Sequence, residues 1–317
     1  MIVAIFFAMN MGASGVAPSF CSSYGAKFLG RKSIILLFTF FVIFGTVLLG
    51  GGVVKTLSGG IVPAKFISPK IALVILLSAT ISLFIANLLK IPQSTSWVTV
   101  FSLTAAGLYF ADLNFKKFYI LAPAWILLPT LSYFLSRYLY KFIYTPRKGN
   151  FILYEKFFAN EKKIKILSIL TNCYVAFAIG TNNVANVVGP LKSANIFGNS
   201  ISGLLLMTPF LGIGAFLLGK GNLSSFGCKI VPLGIATSTI VSFTTATLLI
   251  FASVLGIPQS LVQLNAASIF AASHIKDGFF NSNFNLITKK AFLTWILISI
   301  LSFTLTFLIL HFLVPYE

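Results

Sequence analysis

The polar side chains embedded in the apolar parts of this chain are hydroxyls and carboxamides, and they come in two duplicated sets. Asn10, Gly12, Ser14, Gly15, Pro18 and Ser19 form one cluster; Gly180, Thr181, Asn182, Asn183, Asn186, Gly189 and Pro190 form its counterpart. The second set is Ile91-Pro92-Gln93-Ser94, continued by Thr95 and Ser96, and matched by Ile257-Pro258-Gln259-Ser260. Hydroxyls and amides without a neighbouring base or thiolate offer hydrogen bonds, not bond-making. Proline suits a first helical position, so Pro92 and Pro258 read as helix starts with hydroxyls in the first turn. At the two Gly- and Pro-containing clusters, a half-helix whose N-terminus points into a cavity would offer unpaired N–H groups and a partial positive charge, an anion site.

The remaining inventory excludes catalysis. The acidic residues are Asp112, Glu155, Glu161, Asp277 and Glu317, all outside both sets. No Ser/His/Asp or Cys/His set is apparent, and neither His274 nor His311 has a metal-ligand partner at useful spacing. No two of Cys21, Cys173 and Cys228 have metal or disulfide spacing. The expectation is a binding protein with no cofactor, no resident metal and no enzymatic activity.

These residues must be carried by a duplicated scaffold. Gly12-Ala13-Ser14-Gly15-Val16-Ala17 recurs as Gly180-Thr181-Asn182-Asn183-Val184-Ala185 at an offset of 168, and the Ile-Pro-Gln-Ser phrase recurs at 166. Between them, Leu48-Leu49-Gly50 and Ile61-Val62-Pro63 recur as Leu217-Leu218-Gly219 and Ile230-Val231-Pro232 at 169. Several weak matches in one register indicate a repeat of roughly 170 residues. Residues 1–140 form one membrane repeat, 141–165 a linker and 166–317 the second repeat.

Composition sets the class. Mean hydropathy is +0.97, and charged residues make up 9% against roughly 25% in soluble domains. Apolar stretches cover 33–54, 71–89, 118–140, 201–218, 230–255 and 291–313, most of them above the roughly 18 residues that cross a bilayer as a helix. The net charge of +18 would suggest nucleic acid in a soluble chain. Here Lys141, Arg147, Lys148, Lys156, Lys162, Lys163 and Lys165 gather in the linker, which reads as a cytoplasmic loop. No aromatic interleaving supports nucleic-acid binding. Lys27, the first basic residue, follows the first apolar stretch, so no basic leader region of a signal peptide is expected.

Only nine residues precede Asn10, so the first segment reads as a half-helix that breaks at its polar cluster. Glycine and proline in both clusters would loosen the helix, leaving backbone groups to face protein, water or a ligand. Neighbouring helices bonded by small polar residues are the simpler reading of any single Asn; the duplication favours a site. The runs 78–89 and 97–110 flank the first Pro-Gln-Ser phrase as a re-entrant hairpin, and the second phrase does the same; a loop followed by a capped helix is the alternative.

At these residues the chain resembles the inorganic phosphate transporter (PiT) family. The hallmark of that family is a duplicated Gly-Ala-Asn-Asp-Val-Ala-Asn phrase, each copy followed by Pro-x-Ser-Thr-Thr-His. Gly180-Thr181-Asn182-Asn183-Val184-Ala185-Asn186 with Gly189-Pro190 matches the former, and Pro92-Gln93-Ser94-Thr95-Ser96 the latter. The likeness extends over nearly the whole chain, including Lys55-Thr56-Leu57-Ser58-Gly59-Gly60-Ile61-Val62. The departures are specific. The family's Asp becomes Gly15 and Asn183; its Ser-Thr-Thr-His becomes Ser94-Thr95-Ser96-Trp97 and Ser260-Leu261-Val262-Gln263. These losses resemble the branch described as sulfate permeases.

The resemblance implies an anion held against the Ser-Thr-Thr phrases, a driving Na+ against the Asp and Asn of the other phrase, and a homodimer. Losing both Asp residues leaves the coupling ion, Na+ or H+, undetermined. Chemistry bears on the anion independently. Hydrogen phosphate keeps a proton that a buried carboxylate can accept, whereas sulfate only accepts; a site of donors without carboxylates therefore favours sulfate.

The expected protein is an all-α polytopic membrane protein of about ten segments, with two inverted-topology repeats, broken helices and re-entrant hairpins. It would lie in a prokaryotic inner or plasma membrane and import sulfate by alternating access. Ser94, Thr95, Ser96 and Ser260 are the first donors, surrounded by Asn10, Ser14, Asn182, Asn183 and Asn186. A Na+-coupled phosphate transporter is the nearest rival, and a passive anion channel the rival of another class.

Overall fold

The structure is a computed structural model and describes residues 1–89, 93–144, 148–157, 160–229, 234–277 and 284–313. Those residues are mostly helical, joined by short turns and loops, and contain no strand. The first half carries α1 (Ile2–Gly25), α2 (Arg31–Leu49), α3 (Gly51–Lys55), α4 (Pro69–Leu88), α5 (Thr95–Tyr109) and α6 (Phe115–Leu139). The short α7 (Phe151–Phe157) lies in the basic linker. Then follow α8 (Glu161–Asn182), α9 (Ala185–Ser193), α10 (Ser200–Lys229), α11 (Ile235–Val254), α12 (Leu261–Asp277) and α13 (Phe284–Leu313). A π turn, Thr56–Gly60, continues α3.

Eight helices among the described residues are long and apolar enough to cross a membrane. Large apolar side chains such as Leu36, Phe40, Ile126 and Leu170 point outward, where only hydrocarbon would favour them. The protein is thus an all-α multi-pass membrane protein. Against the expected ten or so segments, eight among the described residues have spanning length; α5 (15 residues) and the apolar stretch Leu261–Ile275 of α12 are shorter and pack on α4 and α11.

The helix bounds repeat with the sequence. Adding 166 to α4 gives 235–254, the bounds of α11, and adding it to α5 gives 261–275, within α12. The packing is interlaced. α1 lies mainly on α10 while α8 lies on α2; α5 lies on α13 while α12 lies on α6. Exchanging the halves turns each pairing into its mate. Side-chain detail follows: Ser102 meets Ser302 at 2.5 Å, and Ser136 bonds Ser268 at the corresponding positions.

Gly12 and Gly180 correct the expectation that glycine loosens these segments. A Cβ on Gly12 would fall 1.8 Å from the Leu211 carbonyl oxygen, and one on Gly180 2.1 Å from that of Val42. Both permit backbone-to-backbone packing of neighbouring helices, as small residues do in membranes.

The expected half-helix is not observed either. α1 is continuous from Ile2 to Gly25 despite Pro18. Asn10, Ser14 and Ser19 donate to the carbonyls of Phe6, Met11 and Gly15 within the same helix, so its polar groups are satisfied locally. In the second copy the helix only tightens between α8 and α9, with Asn186 N donating to Asn183 O at 3.0 Å. The freed Gly180 carbonyl accepts from Thr46 Oγ1 at 3.0 Å.

Candidate functional site

Helix α5 starts because Ser94 caps it: Ser94 Oγ accepts from Trp97 N at 3.2 Å. Helix α12 starts the same way, with Gln263 N donating to Ser260 Oγ at 3.3 Å. Pro258 therefore precedes the cap and is not the first helical residue; Pro92 lies outside the described residues. The first intrahelical bonds are Val98 N to Ser94 O and Leu264 N to Ser260 O, both 3.2 Å. The N–H groups of Thr95, Ser96, Leu261 and Val262 thus have no intrahelical acceptor.

Both helix starts open on one cavity. Its lining is Ser14, Gly15 and Pro18 from α1; Gln93, Ser94 and Thr95; Asn183; and Ser260, Leu261 and Val262. It brings together segments from both ends of the sequence, as α4 packs on α5, α11 on α12, and α1 on both α4 and α8. No charged side chain lines it.

Of the nine residues expected at a site, Ser14, Ser94, Thr95, Asn183 and Ser260 line the cavity. Ser96, Asn182 and Asn186 stand behind it. Asn186 Nδ2 lies 3.3 Å from Thr95 Oγ1 and 3.4 Å from Ser96 Oγ. Asn182 is bonded by protein on both amide atoms: Nδ2 donates to Ser253 Oγ (2.9 Å) and Ile257 O (3.0 Å), and Oδ1 accepts from Gln259 N (3.1 Å) and lies 3.5 Å from Ser96 Oγ. It holds the site together and has no donor left for an anion. Asn10 lies apart, accepting on Oδ1 from Asn87 Nδ2 at 3.2 Å; Asn222 Nδ2 reaches Asn87 Oδ1 at 3.4 Å.

Two residues were missed. Gln93 is 2% exposed and lines the cavity; Nε2 reaches Trp295 O at 3.5 Å, and Oε1 has no hydrogen-bond partner. Gln259 is 0% exposed, and neither amide atom has a hydrogen-bond partner. The signal was available, since glutamine stands in both copies of the Ile-Pro-Gln-Ser phrase. Leu261 and Val262 lack polar side chains, but they line the cavity in the first turn of α12, where their N–H groups have no intrahelical acceptor.

The cavity therefore has a donor side of serine and threonine hydroxyls and helix N-termini, which suits oxyanion oxygens. It also has acceptor oxygens without partners: Gln93 Oε1, Asn183 Oδ1 and, just behind, Asn186 Oδ1. Neutral oxygens of this kind can hold a Na+ ion. Among the described residues no group of three or more His, Cys, Asp or Glu could bind a metal. Asp112 pairs with Lys65 at 3.5 Å and His274 bonds Tyr133 at 2.8 Å, both away from the cavity lining. The side chain of Asp277 lies outside the described residues.

Comparison with known proteins agrees with this architecture. The model of the phosphate transporter family matches residues 11–163 and 153–306. The sulfate permease CysP of Bacillus subtilis (strain 168) is 33% identical over 314 residues, covering 98% of this chain and 86% of that one. The putative phosphate permease MJ0630 of Methanocaldococcus jannaschii is 25% identical over 282 residues, 87% of this chain and 84% of its own. A solved structure titled the sodium-dependent phosphate transporter superposes with a TM-score of 0.85 at 24% identity, covering 98% and 97% of the two chains.

Proposed function

The chain belongs to the phosphate transporter family, and from that premise we propose that it imports sulfate, or a similar tetrahedral oxyanion, by alternating access. It is a multi-pass permease and not an enzyme. The observation that carries the choice of anion is the cavity lining: two capped helix N-termini, serine and threonine hydroxyls, and no carboxylate. The cavity as it stands, about 10 Å³, is smaller than such an anion; widened by a movement of the two helix starts, it would serve an anion that only accepts hydrogen bonds, which a carboxylate would repel.

In this reading Ser94, Thr95 and Ser260 donate hydroxyl protons, and the N–H groups of Thr95, Ser96, Leu261 and Val262 receive the remaining oxygens. Ser14 and Asn183 close the opposite wall. Ser96, Asn182 and Asn186 hold the two helix starts in register. Residues 1–140 and 166–317 act as inverted repeats about this site, with 141–165 as the cytoplasmic linker; the interlaced packing of the halves supports a two-fold relation. The permease from Bacillus subtilis, whose name specifies sulfate, is the relative with the highest identity reported above.

A second reading, phosphate with Na+, is favoured by one observation. Gln93 Oε1 and Asn183 Oδ1 are buried acceptors without partners, able to accept a hydrogen bond from the P–OH of hydrogen phosphate or to hold Na+. Uptake of labelled sulfate and phosphate into proteoliposomes, with Na+ and pH gradients set separately, decides between the two. A passive channel would show flux that follows the anion gradient alone and ignores both ion gradients.

A further inference from the structure

Between α11 and α12 the chain runs without helix, and four consecutive carbonyls of this tip are each taken by a side chain from a different element. Gly256 O accepts from Thr56 Oγ1 at 2.6 Å. Ile257 O accepts from Asn182 Nδ2 at 3.0 Å. Pro258 O accepts from Trp125 Nε1 at 2.9 Å. Gln259 O accepts from Ser96 Oγ at 3.2 Å. The tip's own main-chain bonds reach back only to the end of α11, Gly256 N to Ser253 O and Ile257 N to Ala252 O. Its forward path is thus dictated from outside.

That path aims the second helix start. Leu261 and Val262 have no hydroxyls, so beyond Ser260 this hairpin can offer an anion only main-chain N–H groups, whose direction is set by residues 256–260. Asn182 and Ser96 already belong to the site. Thr56 and Trp125 do not, and they lie on elements outside both hairpins, in the π turn after α3 and in α6.

We propose that Thr56 and Trp125 are positioning residues for the anion site, acting through the tip of the second hairpin; this rests on the transport reading above. Thr56 holds the tip at Gly256, whose φ of +70° turns the chain out of α11. Trp125 holds it at Pro258, and its ring lies 5.2 Å from that of Trp97 in the first turn of α5. One indole therefore ties the second tip to the first helix start. Trp125→Phe keeps the ring and removes the N–H; Thr56→Val keeps the shape and removes the hydroxyl.

The test is concentration-dependent uptake of labelled sulfate and phosphate by the full chain in proteoliposomes, normalised to inserted protein. Thr56→Val and Trp125→Phe should each raise the half-saturating concentration of the transported anion about five- to tenfold, with the maximal rate kept within about twofold. Thr56→Ser should restore the wild-type value. Ser302→Ala, which breaks a buried hydroxyl bridge away from the tip, should leave it unchanged. Unaltered affinity in both Thr56→Val and Trp125→Phe would overturn the proposal. So would an equal rise in Ser302→Ala, failure of Thr56→Ser to restore affinity, or failure of both Thr56→Val and Trp125→Phe to insert. Wild-type vesicles that carry neither anion would overturn the permease reading, and this proposal with it.

Discussion

The carboxamide of Asn182 clasps the second hairpin at Gln259: its Oδ1 accepts from Gln259 N at 3.1 Å, and its Nδ2 donates to Ile257 O at 3.0 Å. The same Oδ1 reaches Ser96 in the first hairpin helix at 3.5 Å. One side chain therefore joins both helix starts. Asn182→Ala leaves a buried N–H and a buried carbonyl unpaired, each costing about 1–3 kcal/mol. Transport should be lost and thermal unfolding should move to lower temperature. A variant with wild-type uptake and an unshifted melting curve would show that the clasp is dispensable.

Thr95 and Ser94 separate two roles of a hydroxyl. Thr95→Val removes a donor from the cavity and should raise the half-saturating sulfate concentration roughly tenfold, with little change in stability. Ser94→Ala also removes the helix cap, so it should weaken binding and cost a further 0.5–2 kcal/mol or about that in stability. Unchanged affinity in both variants would move the anion away from this hairpin, towards Asn183 and Asn186.

Gly15 and Asn183 stand where the family's phrase carries Asp. A Cβ on Gly15 would sit 3.4 Å from Ile179 Cδ1 and Phe38 Cζ, so a Cβ can be accommodated there. The double change Gly15→Asp with Asn183→Asp should depress sulfate uptake more than phosphate uptake, because only the protonated anion can donate to a carboxylate. Equal loss for both anions would point to steric blockage and count against the charge argument.

The basic linker should be cytoplasmic. Asn150 is a poor reporter of this, being buried with Nδ2 on the Phe142 carbonyl at 2.6 Å. Its neighbour Gly149 is exposed. In a chain without other cysteines, Gly149→Cys should resist an impermeant thiol reagent added outside intact cells and react once the membrane is opened. Ready labelling from outside would reverse the orientation.

Much of the architecture was legible, because offsets of 166 to 169 survive divergence of the residues between them and hydropathy reports spans directly. That a helix begins near each Ile-Pro-Gln-Ser phrase was legible from local signals, but its first residue was not: Ser94 and Ser260 cap the two helices, and Pro258 precedes its cap. Features that depend on a distant partner were not. Gly12 reads as a helix breaker until the carbonyl of Leu211 is seen lying against it. Pro18 reads as an interruption, yet α1 runs through it, packed against α10, α4 and α8. Asn10 reads like Asn182, but it packs towards Asn87 and Asn222, whereas Asn182 packs towards the hairpin tips. Gln93 and Gln259 were in plain view and passed over, since an amide gains meaning only when it is buried without a partner.

The central claim is that a carboxylate-free cavity between two helix N-termini selects an anion that only accepts hydrogen bonds. Competition in proteoliposomes near neutral pH tests it most directly, with labelled sulfate as the tracer and unlabelled sulfate or phosphate as competitor. The account predicts that sulfate displaces the tracer at lower concentration than phosphate does. Stronger displacement by phosphate would contradict it.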